Sequence, residues 1–531
     1  MGRGFDVIVV GSGFGGAVTA CRLAEAGASV LVLERGRRWT KAEYPRQPDD
    51  AWLFDHGRPE KHNGWLDLRF FKRMAVAQGA GVGGGSLCYS SVVMEADAER
   101  FARGWPPEIT RAELEPYYSQ VRTMLAVRPI PPGQHTGRYK LMQEAARLGG
   151  LAGRFSSVPL ALSFDPEWNY NLPDPLSETH SKSFINAQGQ QQGTCVHLGN
   201  CDIGCEVRAK NTLDLNYIPG AEQCGAEVRP LHVVRSIRPD GTGYRVMFDR
   251  IERGRLIPGA ERGRRVVLAA GSLGTTELLL RCRDEYQTLP NVSRLLGQGW
   301  SSNANVLTPD QYPTSTKVEQ SIGPTISGGL DFMDGSAGGP RYYIEDDGFP
   351  NLMLNAVRAK LRTGALSLFG FALRAHLARR EGELNPLGNV MMWLGEGVDA
   401  ADGMLYLGRH WYSPWKKDLK LAWHVARSKP VIDAILAMHG RLSAAKGGSL
   451  RIPLYWTMLR SLVTVHPLGG CRMGRTASDG VVDHRGEVFG YPNIFVADGS
   501  VLPVAVGRNP SMTIAAISER SAQLMAKSSR A

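Results

Sequence analysis

The sequence lacks a long hydrophobic run. Its longest strongly apolar stretch, "LSLFGFAL" at 366–373, is far shorter than the roughly 18 residues a membrane-spanning helix needs. The opening "MGRGFDVIVVGSGFGG" does not read as a signal peptide, because its short apolar run leads straight into a glycine motif. Together these features predict a soluble, cytoplasmic protein. Cysteine is sparse: eight in 531 residues are too few to demand a disulfide framework. Charge of one sign is never gathered into a stripe. The net charge is +11, but the surplus sits in short clusters such as "ERGRRW" (34–39) and "LRAHLARR" (373–380), so no nucleic-acid partner is expected. Internal repeats and low-complexity tracts are missing too.

What is abundant is glycine, 62 residues of it, in a chain too long for one simple core. "FDVIVV" (5–10) is a β-branched run suited to a buried parallel strand. "GSGFGG" (11–16) follows at once, "AVTACRLAEAG" reads as a helix ending near Gly27, and "SVLVLE" reads as a second strand closed by Glu34. This order is a βαβ dinucleotide unit. Gly11 permits the tight turn, Gly13 lets backbone approach a pyrophosphate, and Gly16 lets helix and strand pack closely, with Ser12 and Gly15 between them. Free N–H groups at the helix start suit phosphates. Glu34, next to Arg35, is placed to accept from a ribose 2′-OH. The unit alone leaves FAD and NAD both open.

A second cluster, "AQGAGVGGGSLCYSS" (77–91), holds Gly79, Gly83, Gly84, Gly85 and Ser86 between the strand-like flanks "FKRMAV" and "SSVVM". Bare backbone pressed against a flat ligand is the expectation there. Strand-turn-helix texture returns at "GAEVRPLHVVRSI" (225–237) and at "RRVVLAAGSLGTTELLLRC" (264–282), where Ala270 and Gly271 form the turn. The nucleotide lobe is therefore expected in separated pieces, 1–104, 191–304 and 464–531. A second lobe is expected from 105–190 and 305–463, where Phe369, Phe371, Trp393, Tyr406, Trp411, Trp415, Tyr455 and Trp456 are candidates to pack a core or line an apolar cavity.

"GSGFGG…LER", "GAGVGGGS", "LAAGSLGTTELL", "VHPLGGCRMG" and "NIFVADGSVLPVAVGRNPSMTIAAISER" together resemble the glucose–methanol–choline (GMC) flavoprotein oxidoreductases, most closely their bacterial cholesterol oxidases with noncovalent FAD. The resemblance implies a Rossmann-like α/β FAD-binding domain interleaved with a substrate domain on a mixed or antiparallel sheet with helices. It also implies FAD, with a His–Asn pair at flavin N5. Carried over, His466 and Asn509 are the catalytic candidates, Asp498 and Gly499 the turn at the ribityl chain and flavin, and Val233 the residue beside the adenine. An imidazole can take a hydroxyl proton while flavin takes the hydride, and Asn509 can donate to the substrate oxygen or position it. The helix starting at Pro510, Ser511 and Met512 would aim its N–H groups at reduced flavin.

The implied substrate is a bulky apolar secondary alcohol such as a 3β-hydroxysteroid, with oxygen or another electron acceptor. An FAD-dependent dehydrogenase of another alcohol and a non-redox flavin-bearing lyase remain open. Cys88 stands where many relatives have asparagine, and no histidine between 77 and 95 could bond covalently to flavin. The glutamate that isomerises the enone in cholesterol oxidases matches Leu387; Glu396 is nearest and reads as an exposed loop acid. Cys195, Cys201, Cys205 and His197 have no standard metal spacing, so no metal is expected. The basic, apolar segment 363–380 is a candidate for peripheral membrane contact.

Overall fold

The computed structural model describes residues 4–47, 49–336, 338–352, 387–410 and 413–528. Its first sheet is built around Phe5–Val10, which pairs in parallel with Val30–Leu33 on one side and with the end of Arg255–Leu268 on the other. Glu227–Arg229 extends the sheet past Val30–Leu33, and Ile494–Val496 runs parallel to Val266–Leu268. Val7, Ile8, Val9 and Val10 are all buried, which suits a strand covered on both faces. The upstream half of Arg255–Leu268 leaves this core and joins Gly243–Glu252 and His232–Asp240 in an antiparallel ribbon.

The helix Phe14–Glu25 crosses over between the first two strands. It ends where Gly27 takes a left-handed φ of 88°; Gly27 N–H bonds to Ala24 O and Ala28 N–H to Leu23 O, closing the last turn. The C-terminal helix Ser511–Ser528 lies beside it. Glu519 of that helix, buried, is held by Arg22 at 2.6 Å and by the Tyr217 hydroxyl at 2.7 Å. Gly15 is where the crossover helix meets the chain after Ile494–Val496: a Cβ there would lie 1.4 Å from the Ala497 carbonyl oxygen.

The second sheet is fully antiparallel, in the order Ser449–Leu450, Val306–Gln311, Val390–Gly397, Tyr342–Asp347, Gly328–Asp331, Phe155–Ser157. Period-two alternation divides Val390–Gly397 cleanly. Met391, Trp393 and Gly395 face the helix Val425–Ala445, whose Ile435 would be 2.2 Å from a Cβ on Gly395. Met392, Leu394 and Glu396 face the other way. A small sheet of Leu66–Phe71, Met74–Gly79 and Leu462–Thr464 stands beside it.

Some expectations change here. "SSVVM" is not a strand; it makes only an isolated bridge from Val92 to Leu160. Of the named aromatic candidates that are described, Trp393 and Trp456 are buried in the core and Tyr406 is exposed, and none of the three lines the cavity. Trp393 stacks on His439 and bonds to Asp310, because its strand position points away from the cavity. Phe369, Phe371, Trp411 and the segment 363–380 lie outside the described residues, as do the side chains of Trp415 and Tyr455.

The Gly15 contact generates a stability prediction. Gly15→Ala forces backbone apart at the junction of two core elements and lowers the unfolding free energy by more than about 4 kcal/mol. Urea denaturation checks this, and a loss within about 1 kcal/mol contradicts the fit.

Candidate active site

One continuous cavity of about 2160 Å³ runs between the two sheets. At one end its wall is Gly11, Ser12, Gly13, Gly15, Glu34 and Arg35, with Val233 alongside. Gly79, Gly84, Gly85, Ala270, Gly271, Asp498 and Gly499 continue it, and His466, Asn509, Pro510 and Ser511 line the far end. Gly16, Gly83, Ser86 and Met512 stand behind this wall. Gly16 packs on the Gly11 carbonyl, Ser86 Oγ donates to Gly83 O and accepts from Leu213 N–H, and Met512 is core.

The glycine end is held by its own hydrogen bonds. Glu34 Oε2 accepts from Ser12 N–H at 3.1 Å and Ser12 Oγ–H at 2.7 Å, while Oε1 accepts from Gly36 N–H at 2.9 Å. Ser12 Oγ accepts in turn from Gly83 N–H at 3.1 Å, which ties the two glycine loops together. They touch so closely that a Cβ on Gly84, at φ 53°, would lie 2.5 Å from Gly13 Cα. Arg35 is paired with Asp67 at 2.7 Å and lies over the Phe54 ring. Asp498 accepts from Gly271 N–H at 2.9 Å, from Ser500 N–H at 2.8 Å and from the Thr275 hydroxyl. Burial raises its carboxyl, against the pull of those bonds.

Around His466 the structure assembles residues from four separated segments. The imidazole is 15% exposed. Its Nδ1 lies 3.1 Å from Asn305 Nδ2 and 3.3 Å from Glu396 Oε2. The backbone fixes Asn305: its Oδ1 accepts from Val465 N–H at 3.2 Å, so Nδ2 faces the ring. Thr464 Oγ1 accepts from His466 N–H at 3.0 Å and lies 2.7 Å from the same Asn305 oxygen. The turn carrying Asn303 and Asn305 is clamped by Asp399, which accepts from the Ser301 hydroxyl and from Ser302 N–H. Asn303 takes a left-handed φ of 54°, a conformation asparagine tolerates well.

Glu396 corrects the sequence reading. It is fully buried on the strand Val390–Gly397, where it accepts from Asn303 Nδ2 and from Asn509 Nδ2, each at 2.9 Å. Its flanking glycines resemble loop chemistry, but Gly395 and Gly397 are required by Ile435 and Val431 of the covering helix. Glu345, also fully buried, comes within 3.4 Å of the same Asn509 nitrogen. Burial first, then the Glu396 charge, pushes the Glu345 carboxyl well above the usual range. Asn509 thus directs its nitrogen at two carboxyl groups, and among the described residues its Oδ1, not its N–H, is left without a partner. Sequence reasoning missed Asn303, Asn305, Glu345 and Asp399; the polar run "SSNAN" at 301–305 was the available signal.

Against the second sheet the cavity wall is mainly apolar, with Val92, Leu307, Ile326, Leu352, Met392 and Leu394, and it also carries Asp202 and Asp347. Leu387 lines it too, so the position matched to the isomerising glutamate presents a hydrocarbon. Cys88 also lines it, and burial pushes its thiol up to about 11. Cys195 and Cys201 are buried free thiols and Cys205 is half-buried. His197 bonds to the Tyr170 hydroxyl at 2.7 Å, and burial lowers it to about 3.

Residues 452–518 match the family described as GMC oxidoreductase, and residues 9–58 match an NAD(P)-binding Rossmann-like domain. The chain is 29% identical to a cholesterol oxidase of Acinetobacter baumannii, covering 97% of this chain and 93% of that one. It is 30% identical to a cholesterol oxidase of Mycobacterium tuberculosis (strain ATCC 25618 / H37Rv), covering 98% and 91%. Among solved structures it superposes on formate oxidase from Aspergillus oryzae RIB40 with a TM-score of 0.66 at 13% identity, covering 99% of both chains, a likeness of fold. The chain belongs to the GMC oxidoreductase family. It is an FAD-dependent oxidoreductase acting on CH–OH groups. The cavity fits FAD: the helix Phe14–Glu25 has no side-chain cap at Gly13, bare glycine backbone lines the approach, and Asn509 Oδ1 is a buried acceptor awaiting a donor.

The raised Glu345 carboxyl has a measurable consequence. Above its ordinary value of 4.5 the folded chain holds a proton there that the unfolded chain has released, so unfolding free energy falls as pH rises. Glu345→Gln therefore gains stability relative to the parent between about pH 5 and about pH 8. Urea titrations at both values check this; a difference that does not vary with pH contradicts it.

Proposed function

We propose that the chain oxidises the hydroxyl of a bulky apolar secondary alcohol, such as a 3β-hydroxysteroid, to the ketone, with noncovalent FAD and oxygen as acceptor. The observation that carries this reading is His466, held from behind at Nδ1 and turned toward an apolar cavity end beside Asn509 and the start of the C-terminal helix. The steroid and oxygen parts rest on the two cholesterol oxidase relatives.

Bound FAD would supply the acceptor for the hydride of the carbinol carbon. Glu34, the backbone of 11–15 and 79–85, Ala270–Gly271 and the turn at Asp498–Gly499 are the residues that would hold it, with Val233 at the adenine end. Catalysis by this chain's own groups is then a matter of the proton. With Glu396 accepting from Nδ1–H, His466 keeps the Nε2 lone pair free to take the hydroxyl proton. Asn509 acts chiefly on Glu396, since its nitrogen is already engaged there. The first-turn N–H groups of Ser511–Ser528 have no carbonyl partner within the helix and favour negative charge at the cavity end. Apolar walls exclude water and accept a hydrocarbon skeleton. The hydrocarbon at Leu387 argues against enone isomerisation accompanying the oxidation.

Anaerobic titration of the yellow holoenzyme with sterols and with simple alcohols tests the proposal. Sterols bleach the flavin band and yield ketone, and His466→Ala slows the bleaching by about 10²–10⁴-fold. Absence of bleaching with every alcohol contradicts hydride transfer and leaves the non-redox lyase reading, and bleaching by small alcohols alone removes the steroid assignment. Acid precipitation of the holoenzyme leaves the colour in the supernatant; colour retained in the pellet contradicts noncovalent binding.

A further inference from the structure

Among the described residues, no lysine or arginine pairs with the carboxyl groups behind His466. Tyr343 lies opposite Glu396 and Glu345 opposite Leu394, so the two glutamates are diagonal neighbours on one face of the sheet. Both are fully buried, and both approach the same Asn509 nitrogen, at 2.9 and 3.4 Å. Among the described residues Glu345 Oε1 has no hydrogen-bond partner. The charged groups around them are engaged elsewhere. Arg508 pairs with Asp97 and Asp331 and lies over the Tyr343 ring, and Arg138 binds the carbonyls of 319, 320, 322, 324 and 325. Asp347, on the same strand as Glu345, is itself pushed up by burial and by Asp202, and His439 lies on the opposite face of the sheet against Thr308. Two buried carboxyl groups this near, with no cation between them, cannot both ionise.

We propose that Glu345 and Glu396 form a carboxyl pair sharing one proton, and that this pair positions His466 by accepting its Nδ1–H. The proposal rests on the alcohol oxidation proposed above. It names Glu345 and Glu396 as positioning residues, since neither lies between the imidazole and the cavity. Nδ1 has two possible partners: the Asn305 amide, which would donate to a bare nitrogen, and the Glu396 carboxylate, which demands an N–H. The single negative charge of the pair selects the N–H, because a charge-assisted bond outweighs a neutral one. Nε2 then faces the cavity as a lone pair. When the substrate O–H bond breaks, its proton forms Nε2–H. The electron pair stays on oxygen and becomes the second carbonyl bond as hydride leaves carbon. The imidazolium produced stands against one negative charge, neither none nor two. Asn509, donating to both carboxyl groups, holds them in register.

Nitrogen-15 NMR of holoenzyme labelled at histidine tests this without substrate, the His466 signals being those lost in His466→Gln. The parent shows the Nδ1–H tautomer, and Glu396→Gln, which removes the charge, shifts it to Nε2–H under the donation from Asn305. Infrared spectra of the parent contain a protonated-carboxyl band that Glu345→Gln lacks. In turnover, Glu396→Gln lowers kcat about 10²-fold or more with KM little changed. An Nε2–H tautomer in the parent, or no protonated-carboxyl band, overturns the proposal, and both are read on the parent even if a variant fails to fold. Should the tautomer and band behave as expected while no alcohol reduces the flavin, the pair stands and the alcohol oxidation fails.

Discussion

The fully buried carboxyl group of Glu396 is the constraint around which the far end of the cavity is organised. Burying such a group is costly unless it finds hydrogen-bond partners. Glu396 accepts from Asn303 and Asn509 and has His466 Nδ1 3.3 Å away, groups drawn from the turn after Gln298–Trp300, from the residue preceding the C-terminal helix cap and from the loop after Leu462–Thr464. Three segments far apart in the chain are thereby fixed at one point. Removing that carboxyl group would release the carboxamide and the asparagine turn together. The proposed catalytic geometry and the local fold share these hydrogen bonds.

The opposite end of the cavity obeys a different constraint. Its walls must approach a flat, charged ligand while also approaching each other, and only backbone is thin enough. Gly13 meets Gly84 there, and Gly15 meets the Ala497 carbonyl. The polar side chains that remain, Ser12, Glu34 and Asp498, spend their hydrogen bonds holding loops together. What they leave toward the cavity is backbone amide and helix terminus, suited to phosphate and to a reduced flavin. The second sheet adds hydrocarbon on one face only, because alternation along Val390–Gly397 sends Trp393 to the helix side and Leu394 to the cavity.

Legibility followed locality. The first strand, glycine turn, helix and second strand were readable because their signals lie within some thirty contiguous residues: β-branched runs, a glycine triplet and a closing acid. His466 and Asn509 were readable through motif resemblance, and the structure brings both into one cavity wall. The support around them was not readable. Glu396 sits between glycines that look like a loop, yet those glycines answer to Ile435 and Val431 of a helix about forty residues onward. Asn305 showed only as part of the polar run at 301–305 and Glu345 carries no local pattern, since their partners are fixed only when the strands pair. The aromatic residues left core and cavity both open, because composition reports that they are present while strand phase decides the face, and phase sends Trp393 to the core. The orientation of the Asn509 amide was equally invisible, because two carboxyl groups from other strands determine it.

The most direct measurement of the central claim is a crystal structure of the FAD-bound enzyme with the ketone it produces. The account predicts the product oxygen within about 2.6–3.2 Å of His466 Nε2, with Nδ1 still directed at Glu396. A product oxygen held by another group, or a ring turned so that Nδ1 faces the cavity, would contradict it.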